Sequence, residues 1–355
     1  MKLELSGPLP EAVASKFREA KSKESLTFSH TELATICTSS GIPFQLRYCP
    51  ALAKKPTQND KPTPSEKKPD PFLDPPDDLL ITRISSATSS HVLVLNKYPV
   101  IANHFIIATR EDKPQTHVLE AEDLEATYLC LHEWEKDGGG KRLFTFFNSG
   151  EHSGASQPHR HLQFLPIESM KEGDEDGEWQ VLSDRISGRS RRYSAGAAAT
   201  GPSPQTELPF ACFSRAIPQN ASSDQLFTIY TTLLSEATVA ARSYAQAHPT
   251  DFALPTISGE SIPAPISYNL AMTTSSMVLC PRSSEGVVLK QQDGSEAGYV
   301  ALNGTILGGT LMVKLKEEWD ILRGDSTALD LLLAAIGIPT SGSSSEEVVE
   351  NESRL

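Results

Sequence analysis

Apolar residues recur along the chain at two periods, and the switches between them mark out the elements. Val13, Phe17 and Ala20 fall at helical spacing near the N-terminus and predict an amphipathic helix docked by one face. Leu124, Tyr128, Leu131 and Trp134 repeat that spacing and predict a helix over 122–136, which Gly138–Gly140 ends. A third helix is read over 226–247, stopped at His248–Pro249. Short apolar runs predict strands over 91–95 and 104–109, joined by a turn around Asn96–Asn103. Further strands are read over 144–148, 159–165, 266–273, 277–281 and 299–305, and residues 311–321 read as the opening of a last helix. Strand pairs interleaved with single helices predict an α+β fold with a largely antiparallel sheet flanked by helices.

Three polar stretches interrupt the pattern. Residues 54–78 are dense in proline and charge and are expected to run as an extended connection. Residues 168–207 mix EGDEDGE with GRSRRYSAGAAATGPSPQ, which predicts a long disordered surface insertion. Serines among arginines there leave a phosphorylation or partner segment as the alternative. The tail 340–355 is acidic and polar and is expected to fray. The predicted organisation is therefore an N-terminal region 1–167, the insertion 168–207, a C-terminal region 208–339 and the tail.

Composition narrows the function classes. A chain of 355 residues with 38% hydrophobic and 22% charged residues can bury a sizeable core. Its formal charge of −13 argues against broad nucleic-acid binding, although backbone amides and a few lysines can still hold a small anion. No charge-free apolar run approaches the ~20 residues that span a bilayer, and residues 1–25 lack the continuous apolar core of a signal peptide. No membrane or nucleic-acid partner is expected. Cys37, Cys49, Cys130, Cys212 and Cys280 form no CxxC pair, so neither a zinc knuckle nor a disulfide framework is expected. A reducing compartment fits, the cytoplasm first and the nucleus second.

The chemistry concentrates in one segment, SGASQPHRHLQFLP, from Ser153 to Pro166. In an extended strand His159, His161 and Gln163 line one side, while Arg160, Leu162 and Phe164 line the other. The small side chains of Ser153, Gly154, Ala155 and Ser156 let backbone N–H groups approach a polyphosphate, though the same composition marks ordinary turns. An imidazole that attacks phosphorus must be neutral and held in one tautomer. His161 is the better nucleophile because it lies between the other two. His159 is read as a donor to a phosphate oxygen or as the group orienting its neighbour, and Gln163 as an amide donor. A packed core histidine, a strand-edge amide and a two-histidine metal site are the alternatives; Gln163 is a poor zinc ligand, and no dedicated metal-ligand cluster is apparent.

This segment resembles the H-x-H-x-Q signature of the transferase branch of the histidine-triad superfamily, and more closely the fungal diadenosine tetraphosphate phosphorylases, also called ATP adenylyltransferases. Other blocks resemble that family in the same order: DPFLDPPDDLLI at 70–81, LNKYPVIANHFIIATR at 95–110, EAEDLEATY at 120–128, ELPFACF at 207–213, ISYNLAMTTSSMVLCPRS at 266–283 and LNGTILGGTLMVK at 302–314. The resemblance implies a histidine-triad-like fold and two-step chemistry. His161 would take adenylate from diadenosine tetraphosphate, releasing ATP, and inorganic phosphate would then carry it off as ADP. Gln163, where hydrolases of the superfamily carry a third histidine, would favour phosphate over water as acceptor. The resemblance also carries Asn96 and Lys97, Lys54 or its neighbour Lys55, Asn148, and Thr273, Thr274 and Ser275 over as substrate-binding positions. After Thr273 the chain reads TSSMVLC where the family has a basic, acidic and aromatic run. His104 reads as a structural strand histidine. No tightly bound cofactor is implied; a divalent ion such as Mg²⁺ would come with the polyphosphate. A uridylyltransferase acting on sugar phosphates is the nearest rival, although Arg160 stands where those proteins have proline between the histidines. A noncatalytic nucleotide sensor is the reading from another class. Oligomeric state is not legible.

Overall fold

The computed structural model describes residues 1–54, 70–85, 91–173, 179–194, 207–249 and 263–340. In chain order its elements are β1 (Lys2–Leu3), α1 (Leu9–Ser22), β2 (Glu32–Cys37), β3 (Pro43–Tyr48), β4 (Leu80–Ser85), β5 (His91–Leu95), β6 (Phe105–Thr109), α2 (Ala121–Asp137), β7 (Leu143–Ser149) and β8 (His161–Pro166). There follow α3 (Ile167–Lys171), α4 (Leu182–Ser194), β9 (Phe213–Ala216), α5 (Ser223–Ala247), β10 (Tyr268–Met272), β11 (Ser276–Pro281), β12 (Gly286–Lys290), β13 (Glu296–Ala301), β14 (Thr310–Val313), α6 (Lys316–Gly324) and α7 (Ser326–Ala335).

Nine strands form one sheet in the order β1-β4-β5-β6-β8-β7-β10-β11-β9, antiparallel throughout. A smaller sheet, β14-β3-β2, and the hairpin β12–β13 complete it; among the described residues only β14 and β3 run parallel. The α+β class and the antiparallel sheet are as expected from the sequence.

Alternation along the strands sends two different sets of side chains to the two faces. On one face Leu93, Phe105, Ile107, Leu162, Phe164 and Leu279 meet Val13 and Phe17 of α1, Leu124 and Trp134 of α2, and Leu233 of α5. The predicted apolar stripes of these helices are the ones buried. Reciprocal capping boxes start α2 at Glu120–Asp123 and α5 at Ser222–Gln225.

The opposite face carries two separate apolar clusters. Phe144, Phe146, Leu165 and Val278 pack under Phe44, Trp179, Ile306 and Leu311. Val92, Val94, Ile106 and Ala108 pack under Phe72. His161 and Gln163 lie in the seam between these clusters, on the strand that joins them.

Four expectations are corrected. Within 168–207, residues 167–171 and 182–194 are helical, and Trp179, Val181, Leu182 and Ile186 are buried, Trp179 through an Nε1–H donated to the Gly309 carbonyl at 2.8 Å. The polar runs around them hid a helix whose apolar side has a partner. Within 54–78, residues 70–78 are fixed by a buried Phe72 and by Asp70. The strand expected over 299–305 ends at Ala301, because Asn303 caps a helical turn at Gly304–Gly308. Residues 310–313 form β14, and the helix read over 311–321 begins only at Lys316. The tail 341–355 lies outside the described residues.

Candidate active site

The site is built where β8 leaves its neighbours. Ala108 stands opposite His161, and Gln163 opposite Phe146, so Asn148 comes next on β7 beside His161. Asn148 is in turn opposite Asn269 of β10. Directly opposed residues share a face. Asn148 and His161 each stand two residues from the paired Phe146 and Gln163, so alternation sets Ala108, His161, Asn148 and Asn269 in one row on the same face. Past the Phe146–Gln163 pair the strands β7 and β8 separate, and the buried side chain of Gln115 fills the gap. Its Nε2 donates to the Asn148 carbonyl (2.8 Å) and the His161 carbonyl (3.1 Å), and its Oε1 accepts from the His161 amide (2.7 Å).

His161 is buried, and its Nδ1–H donates to the His159 carbonyl at 2.8 Å. Burial pushes its pKa down to about 4. The ring is therefore neutral at physiological pH, with its proton on Nδ1 and the lone pair on Nε2, and Nε2 takes no hydrogen bond among the described residues. That is the protonation state of a nitrogen nucleophile. The ring of Phe72 lies over it, centroids 5.1 Å apart.

His159 precedes the strand and is committed elsewhere. Its Nδ1 faces Asp70 Oδ2 at 2.6 Å, and its Nε2 donates to the Thr109 carbonyl at 2.7 Å. The ring that was expected to meet a phosphate oxygen instead anchors the 70–79 segment. It is the His159 carbonyl, not its imidazole, that orients His161. Phe72 packs edge-on to this ring as well.

Gln163 is held from the other side. His104 Nε2–H donates to Gln163 Oε1 (3.0 Å), and Asn96 Nδ2 donates to His104 Nδ1 (3.1 Å). Fixing the oxygen leaves the Gln163 NH₂ as the donor end toward the seam. Asn96 and Gln163, distant in sequence, thus belong to one chain of hydrogen bonds, and His104, read as structural, is its middle link.

The Ser153–Ser156 loop lies against Asn148 and the 302–304 segment. Ser153 turns inward, its hydroxyl donating to the Gly150 carbonyl at 2.7 Å, while its own carbonyl accepts from Asn269 Nδ2 at 2.9 Å. Gly154 has φ +75° and sits where a Cβ would stand 2.7 Å from the Leu302 carbonyl, so no other residue fits without displacing that strand end. The backbone amides of Gly154, Ala155 and Ser156 take no hydrogen bond among the described residues. Ser153 therefore contributes no hydroxyl to a ligand, whereas the amides that follow it are available.

Other expected positions lie apart from this row. Lys97 is exposed beside Tyr98. Lys54 ends a helical turn at Pro50–Lys54, and Lys55 lies outside the described residues. Thr273, Thr274 and Ser275 form the turn of the β10–β11 hairpin, where Thr273 Oγ1 and Ser276 Oγ bond to each other at 2.9 Å. Thr273 is four residues beyond Asn269, about 13 Å along the strand, so the structure does not bring this turn to His161. Arg160 points to the helix face, where it pairs with Asp123 and Glu120 at 2.9 Å each and ties β8 to the start of α2. Burial alone would raise the Asp123 carboxyl; the hydrogen bond from His91 and the charge of Arg160 more than offset this and lower it.

Among the described residues one set of side chains is spaced so that it could hold a metal ion. One donor atom each from Asp70, Asp112 and His159 lies within 4.8 Å of the others. The His159–Asp70 hydrogen bond spans that space.

Residues 2–176 match the family model described as Ap4A phosphorylase N-terminal domain, and residues 206–339 match that of the ATP adenylyltransferase C-terminal domain. The chain belongs to the Ap4A phosphorylase family. It is 26% identical to diadenosine 5',5'''-P1,P4-tetraphosphate phosphorylase 2 of Saccharomyces cerevisiae over 94% of this chain and 95% of that one. It is 24% identical to Protein APA1 of the same yeast, over 97% and 99%. The crystal structure of yeast Ap4A phosphorylase Apa2 superposes with a TM-score of 0.71 at 23% identity, covering 95% of this chain and 99% of that one.

Within this member of the Ap4A phosphorylase family, sequence reasoning missed Asp70, Phe72, Gln115 and Asn269. The first two lay inside a stretch read as a loose connection, although its DPFLDPPDDLLI block was visible. Gln115 and Asn269 had no local signal, since their partners are strands far away in the chain.

Proposed function

We propose that this protein catalyses the reversible phosphorolysis of diadenosine tetraphosphate to ATP and ADP through an adenylylated His161. The observation that carries it is the state of His161, neutral by burial and fixed by Nδ1–H to the His159 carbonyl, with Nε2 left as the nucleophilic nitrogen. Nε2 attacks the α-phosphorus of one adenosine; the bond from that phosphorus to the bridging oxygen breaks, and ATP leaves. An oxygen of inorganic phosphate then attacks the same phosphorus, the N–P bond breaks, and ADP departs. The amide donors of Gln163 and Asn148 and the backbone of Gly154–Ser156 would hold the phosphoryl oxygens as charge shifts during each step. Gln163 is neither acid nor base, which leaves a water molecule without proton transfer from that position.

Phe72 must withdraw for substrate to reach Nε2. A divalent ion such as Mg²⁺ arriving with the polyphosphate would neutralise part of its charge. The relatives named for this activity and the H-x-H-x-Q row support the same reading. Among the described residues no helix is long and apolar enough to cross a membrane; with its cysteines unpaired, we place the protein in the cytoplasm.

The test is incubation with diadenosine tetraphosphate, with and without phosphate, followed by separation of products. Phosphate-dependent release of ATP and ADP is expected. AMP plus ATP, two ADP, or binding without turnover would each overturn the reading, and turnover of UDP-sugars in its place would select the rival transferase.

A further inference from the structure

Arg282 is fully buried, and among the described residues it hydrogen-bonds no carboxylate. Its Nε donates to the Ile336 carbonyl (3.1 Å), and its Nη2 to the carbonyls of Ser284 (2.9 Å), Glu285 (3.1 Å) and Leu302 (3.0 Å). The one side-chain acceptor is Asn269 Oδ1, bonded to Nη1. A guanidinium only donates, so the Asn269 oxygen must face Arg282 and its NH₂ must face away. That NH₂ donates to Asn148 Oδ1 and to the Ser153 carbonyl, both at 2.9 Å. Asn148 Oδ1 also accepts from the Gly304 amide at 2.8 Å. Turning the Asn148 amide over would set its NH₂ against two donors.

The consequence falls on the other end of that amide. Asn148 Nδ2 is buried and has no partner among the described residues. An unsatisfied buried donor costs about 1–3 kcal/mol, and a ligand acceptor would remove that cost. Asn148 shares its face with His161 on the adjacent strand, so the acceptor that reaches Nδ2 is one held beside the nucleophile. A phosphoryl oxygen fits. Burial lowers the Arg282 guanidinium only to about 10, so it is a cation at neutral pH and polarises the chain of amides toward the site.

We propose that Asn269 and Arg282 are positioning residues that hold the Asn148 amide with its NH₂ toward the phosphoryl group attacked by His161. This rests on the adenylyl-transfer reading above. Neither residue touches substrate; both act through Asn148.

The decisive variant is Asn269→Asp, which keeps an acceptor for Arg282 but replaces the donor to Asn148. The Asn148 amide is then caught between the Gly304 amide, which still donates to its oxygen, and the new carboxylate, which repels that oxygen and attracts its NH₂. The NH₂ is no longer held toward the phosphate. The measurement is the rate of adenylyl–enzyme formation from diadenosine tetraphosphate without inorganic phosphate. A loss on the order of 100-fold, with KM changed far less, is expected from removal of one such donor. Asn148→Ala should lose about as much, and the double variant no more than either. An unchanged rate in N269D, or losses that add in full, would overturn the proposal. Arg282→Lys keeps the charge but not the fork and serves if N269D does not fold; at least a tenfold loss is expected, and a normal rate counts against the relay. If the wild type forms no adduct, the adenylyl-transfer reading itself fails. The positioning claim is then read from the Asn148 side-chain NH₂ resonances on adding AMP. They should shift in the wild type and not in N269D, and equal shifts would overturn it.

Discussion

The two faces of the nine-stranded sheet are made by the same strands and treated differently. Toward the helices, Leu162, Phe164, Ile107 and Leu279 join one continuous apolar cluster. Polar groups do enter it, but they pair among themselves: Arg160 with Asp123 and Glu120, His91 with Asp123, and the Tyr230 hydroxyl with that of Tyr268. Toward the smaller sheet the apolar cover breaks, and His161, Gln163 and Asn148 fill the seam between two clusters. The first face stores stability, because buried apolar area is non-directional and tolerates any good packing. The second holds directional groups, each oriented by a hydrogen bond from a neighbouring group: His161 by the His159 carbonyl, Gln163 by His104, Asn148 by Asn269. Apolar clusters on either side keep water from competing with those bonds.

The comparison breaks most sharply at His161, the proposed nucleophile. His161→Ala should lower turnover by at least about 10⁴-fold, the order seen when a covalent nucleophile is removed, and leave no nucleotide–enzyme adduct. Its melting temperature should stay near that of the wild type, and a fully active variant would refute the mechanism. Leu279→Ala, on the helix face, should do the reverse. It should cost about 2–5 kcal/mol in denaturant unfolding while kcat/KM per folded molecule is retained. Gln115→Leu lies between these extremes. It strips partners from the His161 amide and carbonyl, so a loss of about 1–3 kcal/mol should accompany a rate loss on the order of 100-fold from misplacement of the ring.

Acid sharpens the contrast further. The folded-state pKa of His161, about 4, lies below the ordinary value of 6.5. Between those values the unfolded chain binds the proton that the folded protein refuses, so stability rises with pH across that window and falls as pH drops through it. Unfolding measured at pH 5 and 7 should show this difference in the wild type and a smaller one in His161→Ala. The smallest effect is expected at the far hairpin. Thr274→Ala should change stability by no more than about 0.5 kcal/mol and leave kcat/KM within about twofold; a large loss would return that turn to the substrate site.

Much of this was legible before any fold was known. Apolar spacing placed α1, α2 and α5, because a helix buries one stripe whatever it packs against. H-x-H-x-Q placed His161 and Gln163 on one face, because strand alternation is local geometry. The same local rule misjudged His159. It preceded the strand, and its ring was claimed by Asp70 from a segment read as loose. Residues 179–188 were hidden for a related reason, since a short helix with a modest apolar side shows its purpose only when Phe44, Ile306 and Leu311 are set beside it. Residues 311–313 read as the opening of a helix because their apolar run does not reveal that β3 is waiting as a parallel partner.

By itself the sequence determined the sheet-and-helix class and the placing of His161 and Gln163 on one strand face, all properties of contiguous residues and their period. Only the tertiary structure decided which tautomer His161 holds, that Asn148 rather than Thr273 stands beside it, and that Gln115, Asn269 and Arg282 support the row. Those are matters of side-chain orientation, of register and of hydrogen bonds between strands, some joining residues more than a hundred apart, and strand register is set by the packing of whole faces rather than by any local run.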